Sequence, residues 1–224
     1  MYINVNGINI YYEVMGRGKP IILLNPNSVN TNAMNYVTKK LSKEFLVYKF
    51  DRRCCGKSEK NCTLSYELSA KDVVEFISKL KIEKPYLLGS SGGGIVAMIV
   101  AITSPDIISK LVLCSTTSRL NCIKKSVYSK VLEKLPFYPG KKSAVMFEKL
   151  NSETKDLTVN DLKQIKAKTL VVNGGKKDVV PLTEANYIAS SIPNAKKLIL
   201  PNEGHFSYMI NMKWYDKLKE FLDE

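Results

Sequence analysis

The chain has 224 residues, 45% of them hydrophobic and 25% charged, and its formal net charge is +13. This supplies the apolar material for one large α/β domain, and no run of about 18 uncharged apolar residues marks a membrane span. Lysines in short, scattered groups carry the charge, and arginine occurs only at Arg17, Arg52, Arg53 and Arg119. That pattern suits a solvated surface better than a nucleic-acid interface, so no nucleic-acid partner is expected.

Five cysteines, two of them adjacent at Cys54 and Cys55, make a poor disulfide framework. There is no C-x-x-C pair and the only histidine is His205, so no metal site is expected. The N-terminal Met1-Tyr2-Ile3-Asn4-Val5 lacks the pattern of a secretory signal, which predicts an intracellular, cytoplasmic protein. The oligomeric state is not legible.

In chain order, Val5-Asn6-Gly7-Ile8 predicts a hairpin turn, because Asn-Gly between apolar alternations accommodates the positive φ angles such turns need. The second strand is predicted to run from Ile8 to Val14, and residues 16–20 break it. Ile21 to Leu24 reads as a buried strand that Asn25-Pro26-Asn27-Ser28 stops, since proline lacks a ladder donor. A helix is predicted from Thr31 to Leu41, capped by Asn30 or Thr31, then a strand from Phe45 to Phe50 and a polar loop from Arg52 to Asn61. Helical spacing of Leu68, Val73, Phe76, Ile77 and Leu80 predicts a helix over Leu64 to Leu80.

Tyr86-Leu87-Leu88 then reads as a short buried strand, and Ile95 to Ala101 as a helix buried all round. Four of the six residues from Gly89 to Gly94 between them are glycine, as a sharp strand–turn–helix corner requires. Further strands are predicted within Ile108 to Cys114, at Thr169 to Val172 and at Lys197 to Leu200. Helices are predicted at Leu182 to Ile192 and Trp214 to Leu222. This alternation implies a mostly parallel sheet covered on both faces. Residues 116–161 break the rhythm, with helical patches at Val127 to Leu135 and Ala144 to Leu150, and are expected to form a small helical insertion.

Two adjacent serines occupy the corner. Centred on Ser91 the pattern is G-x-S-x-G, with Gly89 and Gly93; centred on Ser90 it fails at Leu88. Ser91 is therefore the candidate nucleophile, and the N–H of Gly92, at the start of a helix, is a candidate oxyanion donor. A serine hydroxyl needs a base, and His205 follows a strand in a Gly-flanked loop at the end of the sheet where Ser91 emerges. Asp178, in the loop after Thr169 to Val172, is the candidate orienting carboxylate; Glu203, in the histidine's own loop, is weaker. The order Ser91, Asp178, His205 is the one this architecture uses.

With these motifs in place the chain resembles the α/β-hydrolase superfamily over nearly its full length. Gly89-Ser90-Ser91-Gly92-Gly93 matches the nucleophile elbow, and residues 51–58 resemble the D-x-R-G-x-G-x-S loop without its first glycine. Gly174-Gly175-Lys176-Lys177-Asp178 resembles the acid loop, and Gly204-His205-Phe206 the histidine loop. The resemblance implies a doubly wound sheet of about eight strands, with a core at 1–115 and 162–224 and a short lid at 116–161. It implies a second oxyanion donor in the backbone N–H of Asn27, although Asn25-Pro26 stands where the family usually has His-Gly. Ser90, Phe137, Tyr138, Met146 and Phe147 are expected to line the acyl pocket, although the last four also fit simple packing.

The function expected is a serine hydrolase cleaving a carboxylic ester or related small acyl compound, without cofactor. Thioesterase, aminopeptidase-like amidase and carbon–carbon bond hydrolase are alternatives with the same triad. A non-catalytic binding protein with this fold is the alternative of another class.

Overall fold

At the first turn Asn6 and Gly7 have φ of 46° and 78°, which the Asn-Gly pair accommodates. The turn joins β1 (Tyr2–Val5) to β2 (Ile8–Met15), with Val5 opposite Ile8. The computed structural model describes residues 1–27, 29–122, 146, 149–175 and 178–224. The expected helical patch at Val127 to Leu135 and most of the expected lid lie outside these described residues.

β3 (Lys19–Leu24) begins two residues before its predicted start. Pro20 is tolerated because it pairs on one side only, with Leu46 of β4 (Phe45–Phe50), while pairing on the other side starts at Ile21. The predicted helix from Thr31 divides into a 3-10 turn, Thr31–Met34, and α1 (Asn35–Leu41). Asn30 caps the turn, its side chain accepting from the Asn32 N–H at 3.0 Å. α2 (Tyr66–Lys79) starts at Ser65, whose Oγ accepts from the Leu68 N–H at 3.0 Å.

The remaining strands are β5 (Tyr86–Ser90), β6 (Lys110–Cys114), β7 (Lys168–Asn173) and β8 (Ala195–Ile199). Helices among the described residues also include α3 (Gly92–Thr103), α4 (Val159–Leu162), α5 (Leu182–Ser191), α6 (Ser207–Ile210) and α7 (Tyr215–Asp223). The sheet of these eight strands has the order β1-β2-β4-β3-β5-β6-β7-β8. β1 and β2 pair antiparallel, as do β2 and β4, and all later pairings are parallel.

Side chains on a strand alternate between faces, and β3 shows the consequence. Ile22 and Leu24 join the core that holds Val73 and Phe76 of α2 and most of α3. Ile21 and Leu23 join a second core with Val37 and Leu41 of α1 and Leu218 and Phe221 of α7. Burial of the strands on both faces makes them read as continuous apolar runs. Among the described residues no helix is long and apolar enough to cross a membrane.

Candidate active site

β5 ends at Ser90 and α3 begins at Gly92, so Ser91 occupies the corner alone, with φ 49° and ψ −122°. Positive φ is costly for a residue with a Cβ, about 1–3 kcal/mol, and persists only where neighbours impose it. Here the Ser91 N–H donates to the Cys114 carbonyl at 2.9 Å. Its own carbonyl accepts from the Gly94 N–H at 2.8 Å and the Thr116 hydroxyl at 2.7 Å. The helix can start this close to the sheet because Gly93 lacks a side chain: a Cβ there would lie 2.2 Å from the Leu24 carbonyl oxygen. The glycines that selected Ser91 in the sequence thus have a steric task.

His205 lies between β8 and α6, and Asp178 between β7 and α5, both at the same end of the sheet as Ser91. His205 Nε2 stands 3.2 Å from Ser91 Oγ, and His205 Nδ1 stands 2.8 Å from Asp178 Oδ1. With a carboxylate at Nδ1 the ring proton belongs there, which leaves the Nε2 lone pair toward the serine hydroxyl. The Phe206 ring packs T-shaped against the imidazole, with centroids 4.6 Å apart.

The Asp178 carboxylate is fully enclosed. Its Oδ2 accepts from the Gly174 N–H at 2.8 Å and from the Ser115 hydroxyl, and its Oδ1 also accepts from the Val180 N–H at 3.1 Å. Burial pushes its pKa up, but the hydrogen bond and charge of His205, with Ser115 and Gly174, outweigh it, so the net shift is downward. A depressed acid stabilises the fold above its unfolded pKa and loses that contribution as pH falls through the folded value. In urea denaturation, Asp178→Asn is therefore expected to be less stable than the parent near pH 5, the gap closing as pH falls through the folded value of the carboxyl. A gap independent of pH down to acid unfolding would contradict this.

Glu203 is engaged elsewhere, accepting from Asn211 Nδ2 at 3.0 Å and facing Lys213 Nζ at 3.8 Å, which leaves Asp178 as the carboxylate on His205. Cys54 is no rival nucleophile: burial and its neighbour Cys62 push its thiol up to about 12.

The facing wall is the loop after β3. Asn25 is buried, its amide donating to the Val29 carbonyl, and Asn27 is 4% exposed. The Asn27 side chain lies against the start of α3, for a Cβ on Gly92 would meet Asn27 Oδ1 at 2.0 Å. Gly92 is the first residue of the helix, where the N–H has no acceptor within it. The two expected oxyanion residues are thus brought together.

The pocket expectations fare differently. Ser90 is wholly enclosed, its hydroxyl 3.8 Å from Met209 Sδ in the second core, so it offers no accessible wall: strand alternation turns it away from the side where Ser91 emerges. Met146 is half-buried and packs against the first core. Phe137, Tyr138 and Phe147 lie outside the described residues.

The sequence did not reveal Ser115 and Thr116, whose hydroxyls hold Asp178 and Ser91. The available signal was their place just after β6, beside the corner. Nor did it reveal Glu184, buried on α5. Glu184 accepts from the N–H groups of Ser118 and Arg119 at 2.9 and 3.0 Å and pairs with the Arg119 guanidinium at 2.7 Å. These contacts fix the start of the expected insertion, whose two ends meet where the Leu157 N–H donates to the Ser118 carbonyl at 2.8 Å.

The family model described as alpha/beta hydrolase fold matches residues 25–135, which include the elbow and the facing wall. The chain belongs to the α/β-hydrolase superfamily. Serine hydrolase BPHL of Homo sapiens is 25% identical over 244 residues, covering 96% of this chain and 83% of the relative. Two solved structures share the fold. Est816, described as an N-acyl homoserine lactone degrading enzyme, has a TM-score of 0.85 and 22% identity, with 98% of this chain and 99% of that one covered. The enol-lactonase from Burkholderia xenovorans LB400 has a TM-score of 0.84 and 21% identity, with both chains fully covered. With this family model and a relative named as a serine hydrolase along nearly the whole chain, the chain is a hydrolase.

Proposed function

We propose that the chain is a serine hydrolase of carboxylic esters or related small acyl compounds. The observation that carries the reading is the relay from Ser91 Oγ to His205 Nε2 at 3.2 Å and from His205 Nδ1 to Asp178 Oδ1 at 2.8 Å. Ser91 Oγ attacks the acyl carbon while its proton passes to His205 Nε2. Asp178 keeps the imidazole in the tautomer that can take that proton and steadies the imidazolium that results. The N–H groups of Gly92 and Asn27 receive the oxyanion, whose charge exists only in the transition state and intermediate. Collapse expels the alcohol, protonated by His205, and leaves an acyl-serine. A water molecule, deprotonated by the same nitrogen, attacks the acyl-serine and releases the acid.

The name of the human relative supports the same class. Fluorophosphonate labelling tests the reading, because the probe needs a nucleophilic serine beside a base. The protein is expected to be labelled once per chain at Ser91, and His205→Gln is expected to abolish labelling without unfolding. An unlabelled parent protein, or labelling that survives loss of His205, would point instead to a non-catalytic protein with this fold.

A further inference from the structure

Behind the facing wall runs a continuous line of buried polar groups. Arg52, 1% exposed, donates from Nη2 to Asn27 Oδ1 at 2.8 Å. Asn27 donates from Nδ2 to the Tyr66 hydroxyl at 2.6 Å. Tyr66, with no exposed surface, donates that hydroxyl's proton to Asn151 Oδ1 at 2.5 Å. Asn151 is half-buried in a helical stretch at 149–153, within the expected insertion.

The line is directional. A guanidinium has only donors, so the Asn27 amide must present its oxygen to Arg52 and its nitrogen to Tyr66. Tyr66 has one proton, and by giving it to Asn151 it keeps a lone pair for Asn27. Reversing the Asn27 amide would set two donors face to face in a buried site, which is costly. Asn27 is therefore held in one orientation with its Oδ1 against the α-carbon of Gly92.

Resting on the reading of Asn27 and Gly92 as the oxyanion hole, we propose that Arg52, Tyr66 and Asn151 are positioning residues for it. They hold the Asn27 main chain so that its N–H and that of Gly92 face one point, and they make this alignment depend on how the 149–153 stretch is seated. None of the three touches the reacting atoms. Their effect belongs to the transition state, where the oxyanion forms, and not to substrate capture.

The test uses p-nitrophenyl acetate and a fluorophosphonate probe on the full chain. Tyr66→Phe removes one buried oxygen, and Asn151→Ala removes the acceptor at a half-buried position. Each is expected to lower kcat about tenfold with KM nearly unchanged, less than the roughly 10²–10³ lost when a whole oxyanion donor is deleted. The labelling rate should fall by a similar factor. Asn151→Asp keeps an acceptor for the Tyr66 hydroxyl and is expected to retain most of the parent kcat. A lowered Tm with parental kcat in both Tyr66→Phe and Asn151→Ala would overturn the proposal and leave these residues a packing role. A parent protein inert to both reagents would instead overturn the proposed function, and this inference with it.

Discussion

Replacing Ser91 by alanine is expected to lower kcat for a short-chain aryl ester by about 10⁴-fold or more, with the fold intact. The substitution deletes the Oγ that stands 3.2 Å from His205 Nε2 and leaves the base, its carboxylate and the facing wall in place. What survives is rate enhancement from binding and oxyanion donors alone. The corner supplies an independent check, because Ser91 has φ 49°, where a Cβ is unfavourable. Ser91→Gly should be as inactive as Ser91→Ala but more stable than it by about 1 kcal/mol, since glycine relieves the strain that serine and alanine share. Substantial hydrolysis by either variant would sink the assignment of Ser91. Equal stability of the two would show that the corner stores no strain.

The corner was the most legible part of the molecule because its requirements are local. Sharp turning and close backbone approach need glycine, and the spacing of those glycines selects Ser91 over Ser90. His205 and Asp178 were legible through their places at the ends of predicted strands, which a parallel sheet gathers at one edge. Groups that act through long-range pairing left no periodic trace. Ser115 and Thr116 look like any polar residues after a strand, and Tyr66 like any helix-start aromatic. The division at Asn35 also escaped: 3-10 and α turns bury overlapping faces, so the apolar spacing of Met34, Val37 and Leu41 did not distinguish them. β8 lies two residues earlier than its predicted start, because Lys196 and Lys197 are exposed on the sheet's outer strand and weaken the apolar signal there.

Asp72→Ala is expected to cost about 3–5 kcal/mol of folding stability, among the largest effects of any substitution away from the candidate site. Arg53 Nε and Nη2 each meet an Asp72 oxygen at 2.7 Å, with the two residues only 4% and 1% exposed. Burial pulls the guanidinium pKa down, but Asp72 more than restores it, so the charge stays. Removing the carboxylate leaves that cation buried, with the Thr63 carbonyl at 2.9 Å as its remaining hydrogen-bond partner among the described residues. It also breaks the bond from the exposed Asn6 amide, which donates to Asp72 Oδ1 at 3.0 Å and ties the first hairpin to α2. The loss comes mainly from the orphaned charge and not from the pair's intrinsic worth, and a double variant separates the two. Arg53→Met with Asp72→Leu removes both charges while filling similar volume, and it should recover most of the stability in urea denaturation. If the double variant is as unstable as Asp72→Ala, the geometry of the pair itself is what the 51–63 loop requires. That loop also carries Asp51, whose carboxylate accepts from the Thr31 and Lys57 N–H groups at 2.6 and 2.8 Å, and Arg52, which holds Asn27. A double variant that is stable but slow in hydrolysis would then place the value of the buried pair in the alignment of the facing wall.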